Sequence, residues 1–280
     1  MLAESISDLG SALHWFRRQQ AEGLTVLADK AVAGDLARRA EPLRIDIEVL
    51  NVDGASLSAA EPSPPQQPPE LSAELWQSAA VIADAGLTVI DDHGRLIGEI
   101  LGLEIARVEP PSPTDPSSEP ALHVGIGEAD RQLHGYIHGH LDDVEKLRQA
   151  ASIVAGLRRP GNGMHPLGLL ARPRWLRSIL ITDPSKAGLG ELEAVVPLRA
   201  NPGVFDTEPA AAYSSGDRVT VVCSAGVDLD LLPEAADYRQ RVDPESKLLL
   251  VLPERDVKLA TWGVIDMVEN TQILAVEPPW

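Results

Sequence analysis

Arg218-Val-Thr-Val-Val-Cys223 is the stretch on which the reading of this chain turns. It is a short run rich in β-branched residues, it stops at Ser-Ala-Gly, and a helical pattern follows over residues 231–241. Residues 247–252 form a second apolar run, 257–268 a second helical pattern and 272–276 a third run. Such alternation predicts parallel strands joined by crossover helices, because parallel neighbours cannot be closed by a tight turn. The C-terminal part is therefore expected to be a parallel βαβαβ unit.

Upstream of it the pattern changes. Residues 71–85 carry Leu75, Ala79, Ile82 and Ala83 as one helical stripe, with Ser72 placed to cap it and Gly86 to end it. Short runs at 87–90, 95–97, 103–108 and 121–126 then predict strands, the first two joined by the hairpin turn Asp91-Asp-His-Gly94. Helical spacing returns from Ala129, despite Gly135 and Gly139, and continues with Leu147, Ala150, Ala151, Val154 and Leu157 until Arg159-Pro-Gly-Asn-Gly163 stops it. This is an α+β part with short antiparallel strands.

At the N-terminus, residues 11–20 and 24–40 both show apolar residues near helical spacing, which predicts two helices. Leu43, Ile45, Ile47 and Val49 alternate with Arg44, Asp46 and Glu48, as in a strand with one wet face. The prolines between Glu61 and Glu70 remove too many amide donors for a helix or ladder and predict an extended connector; recognition as a proline-rich ligand is the other reading. The fold class expected is mixed α/β. Its parts are 1–60 (helices and strand), 61–70 (proline-rich loop), 71–176 (α+β, with the helical segment 129–157) and 177–280 (C-terminal α/β).

Composition narrows the function classes. A chain of 280 residues with 44% hydrophobic and 24% charged content can bury a substantial core. Aromatics are only 4%, so the five Trp stand out as packing anchors. A net charge of −18 repels polyanions at long range and disfavours nucleic acid as a whole-surface partner. The one cysteine, Cys223, excludes an internal disulfide and reads as a packed thiol. The N-terminal residues lack a basic region followed by an apolar stretch, and no apolar run is long enough to cross a bilayer. A cytoplasmic protein without membrane contact is the expectation.

Three constellations carry possible chemistry. Four of the seven histidines, His123, His134, His138 and His140, are interleaved with Glu128, Asp130, Asp142 and Asp143. Two histidines four apart share a helix face, and imidazole with carboxylate suits a divalent metal, so His134, His138 and Asp130 are the candidate ligands; a solvated histidine-rich helix start is the alternative. The second is Lys146 to Thr182, where Lys146, Arg148, Arg158, Arg159, Arg172, Arg174 and Arg177 occur with no acid, giving +7. Guanidinium groups grip phosphate through two parallel hydrogen bonds, so Arg158, Arg159, Arg172, Arg174 and Arg177 are candidates for a phosphate-bearing ligand. Alternatively these bases pair with the protein's own acids, such as those between Glu191 and Asp206. The third lies beyond the strand ending at Cys223, where Asp228 and Asp230 stand at the edge favoured by ligands in open α/β sheets and Asp230 can equally cap the next helix. Glu254, Arg255 and Asp256 would share that edge if the strands are parallel.

The order of helix, antiparallel strands and helix resembles, in topology alone, metal-dependent nucleases of the restriction-endonuclease class, with Asp92, Glu99 and Glu104 near strand ends. The acid-x-lysine signature of that class is absent, since Glu104 is followed by Ile-Ala-Arg. The leading expectation is a binder of a phosphate-bearing small molecule or nucleic-acid end. A bound divalent metal would extend it to phosphoester hydrolysis. The alternatives are a non-catalytic protein that contacts a protein partner, and a degenerate enzyme that keeps the fold alone.

Overall fold

The β-branched run is a strand in the middle of a sheet in the structure, a computed structural model that describes residues 1–110, 120–127, 130, 142–159, 165–200, 208–257 and 263–280. In chain order the strands are β1 (Leu2–Ala3), β2 (Leu24–Asp29), β3 (Ile47–Asp53), β4 (Ser56–Ala59), β5 (Thr88–Asp91), β6 (Leu96–Ile100), β7 (Leu103–Glu109), β8 (Ala121–Val124), β9 (Glu193–Ala194), β10 (Ala210–Ser214), β11 (Val219–Cys223), β12 (Lys247–Pro253) and β13 (Thr271–Val276). The α-helices are α1 (Asp8–Gln19), α2 (Lys30–Ala40), α3 (Ala73–Asp84), α4 (Asp143–Leu157), α5 (Pro166–Leu169), α6 (Arg172–Thr182) and α7 (Leu231–Val242). The chain is thus a mixed α/β protein. It divides into two compact units, Met1–Gln67 with Ala211–Glu277, and Pro68–Ala210 with Pro278–Trp280.

In the first unit β11 pairs with β12, and β12 with β13, both parallel, and α7 packs on β11 and β12. Val221, Val222 and Cys223 are fully buried, as a strand covered on both faces requires. The second crossover differs from expectation. The end of the stretch read as a helix over 257–268 is a 3-10 turn, Ile265–Met267, closed by an antiparallel bridge between Val268 and Leu43. Gly263 at φ 69° and the β-branched Val264 and Val268 suit a turn and a bridge better than a helix.

The other sheet of this unit has the order β1-β2-β3-β4, parallel except for the hairpin β3–β4. Here one expected helix, over 24–40, is two elements. Leu24, Val26 and Ala28 are buried in alternation as β2, and the Asp29 carboxylate then accepts from the Ala31 N–H at 3.1 Å to cap α2. Two-residue alternation ending in a capping residue outweighed the apolar positions that also matched a helix. The expected strand over 43–50 begins only at Ile47, because Leu43 is held by its bridge to Val268. Helices α1 and α2 pack on α7.

The second unit is built on the fully antiparallel sheet β5-β6-β7-β8, as expected. Its hairpin turn carries His93 and Gly94 at positive φ, and Asp91 accepts from the Gly94 N–H at 2.9 Å. Helices α3 and α4 pack across this sheet, capped by Ser72 and Asp142. Ile82, Leu96, Leu103, Ile105 and Leu147 are fully buried in the core between them. Of the tryptophans read as anchors, Trp175 is buried, Trp15 and Trp76 are more than half exposed, and Trp262 lies outside the described residues. Among the described residues no helix is long and apolar enough to cross a membrane.

Candidate functional site

The acid-free stretch supplies two helix ends that meet beside one strand of the second unit. Helix α6 starts from Ala171, at φ 42°, and places Arg174 and Arg177 three residues apart, on one side. The turn between β6 and β7 lies against it so closely that a Cβ on Gly102, at φ 73°, would sit 2.2 Å from the Arg174 carbonyl carbon. Only glycine fits there, and the approach brings Glu99 of β6 to the two guanidiniums. Arg177 Nη2 donates to Glu99 Oε2 at 2.6 Å, and Arg174 Nη1 lies 3.6 Å from Oε1. All three side chains are buried.

Glu99 stands directly across from Glu104 on β7, beside a register shift at Gly98/Glu99. Two facing carboxylates repel, so each needs its own cation. Arg107 provides one, donating to Glu104 through Nε and Nη2 at 2.9 and 3.0 Å; Arg177 and Arg174 serve Glu99. Asp92 is also buried, with Oδ1 3.1 Å from His93 Nδ1.

Arg158 ends α4 and is 1% exposed. Its Nη1 donates to the carbonyls of Leu167 and Leu170 at 2.7 and 2.9 Å, and its guanidinium lies 4.2 Å from the centre of the Trp175 ring. Nε and Nη2 have no hydrogen-bond partner among the described residues. Burial, and then the charge of Arg174, lower its pKa to about 10, with Glu99 opposing. Arg158 is still a cation at neutral pH. The stack continues outward, as Trp175 lies 5.8 Å from Trp280 and Arg172 stands 5.1 Å over the Trp280 ring. The ladder Arg158, Trp175, Trp280 and Arg172 thus alternates cation and aromatic face.

Arg158, Arg174 and Arg177 are therefore brought together around Glu99, and Arg172 joins them through the Trp280 ring. Arg159 is exposed, with Nε 3.4 Å from the Ala155 carbonyl. Of the remaining bases, Lys146 pairs with Asp143 and Arg148 donates to the Asp84 carbonyl. Glu99 and Trp280 are the partners that sequence reading did not assign. A charged residue inside the buried run Leu-Ile-Gly-Glu-Ile was the available signal for the first.

Asp228 and Asp230 lie in the first unit. Asp230 holds the N-cap position of α7 without a side-chain cap bond. Its carboxylate instead accepts from the Gly10 N–H at 3.0 Å and from Arg39 Nη1 at 2.8 Å. Desolvation raises its pKa to about 6 against the opposing charge of Arg39 and the Gly10 bond. Arg39 Nε also reaches Asp237 at 3.1 Å, and Arg38 pairs with the same carboxylate. Asp228 accepts from the Asp230 N–H at 3.0 Å. The two loops expected at one sheet edge do meet, because Asp256 accepts from the Gly226 N–H at 2.8 Å.

Of the candidate metal ligands, His134 and His138 lie outside the described residues, and Asp130 accepts from the Ile126 N–H at 2.7 Å. Among the described residues no group of three or more His, Cys, Asp or Glu is gathered to hold a metal. No family model, curated protein or solved structure matches the chain.

Proposed function

We propose that this protein binds a phosphate-bearing ligand through Arg158, Arg172, Arg174 and Arg177, with Arg159 at the exposed margin. The observation that carries the reading is the Arg158 guanidinium, buried and charged, with two nitrogens that have no hydrogen-bond partner among the described residues. Each unsatisfied buried donor costs about 1–3 kcal/mol, and more when charged, so an anion that accepts from them is strongly favoured. The planar fork suits phosphate oxygens, and the Trp280 ring beside Arg172 offers a face for a base or other flat group. The reading keeps β11, β12 and β13 as parallel neighbours, with Asp228 a second polar position beyond the carboxyl end of β11.

Calorimetric titration with pyrophosphate tests it. Wild type should bind, Arg158→Gln should weaken binding at least about tenfold, and the exposed Arg159→Gln should weaken it less. Circular dichroism establishes that each variant is folded. Absence of binding to wild type, or equal affinity in a folded Arg158→Gln, would overturn the reading. Copurification with a basic partner by a protein that ignores pyrophosphate would point to the interaction role instead. The hydrolytic extension places a divalent metal at His134, His138 and Asp130, and elemental analysis of tag-free protein beside His134→Ala, His138→Ala decides it.

A further inference from the structure

A second basic concavity lies in the first unit, with none of its residues in the arginine group above. Helix α1 buries Leu9, Ala12, Leu13 and Phe16 on one face and carries His14, Arg17 and Arg18 on another, at spacings of three and four residues. These three side chains and Gly263 line a half-open cavity of about 460 Å³. Gly263 turns at φ 69° and puts no side chain into the space; a Cβ there would come within 3.3 Å of Arg17 Cγ.

The polar groups of this cavity are underused. Arg18 is exposed and has no ion-pair partner among the described residues. Arg17 gives one nitrogen to Asp266 at 3.2 Å, but both side chains are more than half exposed. A pair so wet is worth about 0–1 kcal/mol and leaves the other guanidinium donors available. His14 Nε2 is buried without a hydrogen-bond partner among the described residues. Bases in the last turn also complement the helix dipole, which accounts for Arg17 and Arg18 on α1 but not for the cavity beside them or for the stranded imidazole nitrogen.

We infer that this cavity is a second anion site, which takes the phosphate group of a small phosphate monoester between Arg17 and Arg18, with His14 Nε2 donating to it. Among the described residues two guanidiniums stand against one acid, Asp266, which leaves a net positive charge that attracts an anionic group. The volume suits a ligand of nucleotide size, since small-molecule sites run from about 300 to 1,000 Å³. Burial lowers the His14 pKa, so the empty site holds a neutral ring. A bound dianion draws a proton onto it; among the described residues the charged groups around the cavity are Arg17 and Arg18, which line it, and Asp266, which pairs with Arg17.

The test uses adenosine monophosphate and inorganic sulfate as probes, followed by calorimetry. Adenosine monophosphate should bind with a Kd near or below about 1 mM, and Arg18→Gln, a change at an exposed position, should weaken it about tenfold. Sulfate stays dianionic across the working range, so its tighter binding at acid pH, abolished in His14→Gln, reports the imidazole proton. Both titrations are repeated in an Arg158→Gln background, where the arginine group is weakened; the component that depends on Arg18 and His14 should persist there, which separates this site from the arginine group. Failure of wild type to bind either probe, or undiminished binding by Arg18→Gln, overturns the inference.

Discussion

Arg177 illustrates how much a single buried charge is asked to hold. Replacing it by Met keeps the volume but leaves the Glu99 carboxylate facing Glu104 with only the longer Arg174 contact, so a loss of about 3–5 kcal/mol is expected in urea unfolding. A loss under about 1 kcal/mol would show that the pair is not structural. Asp230 gives a prediction of opposite sign. Burial raises its folded pKa to about 6, above its ordinary value of 3.8, so the folded state holds the proton more tightly than the unfolded one. Stability should therefore fall as pH rises from about 4 to 6, by on the order of 3 kcal/mol, and level off above; Asp230→Asn should remove that slope. The bases of the acid-free stretch were legible in sequence because a run without acids is itself a signal. Their partner was not, since Glu99 lies far off in the chain and only the β6–β7 turn pressed against α6 brings it near.

At the scale of elements, strands bounded by clear turn chemistry were readable and mixed periodicities were not. The hairpin at Asp91–Gly94 and the cap Ser72 read directly, whereas Asp142, read only as an acid among histidines, turned out to cap α4. Residues 24–40 did not, because Leu24, Leu27, Ala28 and Ala31 satisfy both helical spacing and, in part, alternation; Asp29, able to open a helix, was the arbiter. The last residues of the chain are a further case. Trp280 sits between Trp175 and Arg172; the scarcity of aromatics marked it as a packing anchor, but no local pattern announces which partners a residue after two prolines will meet. Trp280→Ala should cost about 2–4 kcal/mol in the stability of the second unit, read from the fluorescence change of Trp175 on unfolding. An unchanged midpoint would mean that the ring contributes nothing there.

For the molecule as a whole, the strands at the two ends of the sequence belong to one unit, with most of the other unit between them. Alternation and spacing report neighbours a few residues apart, so this joining of 1–67 with 211–277 had no local signature. It has a consequence for the order of synthesis. Helices α1 and α2 leave the ribosome long before α7, against which they pack, and before Asp230 and Asp237, which neutralise Arg38 and Arg39. During that interval two cations destined for the interior have no carboxylates to receive them, while the second unit is being made. The first unit to begin is thus the last that can close, and the nascent chain must keep its opening segment from finding other company until its end arrives.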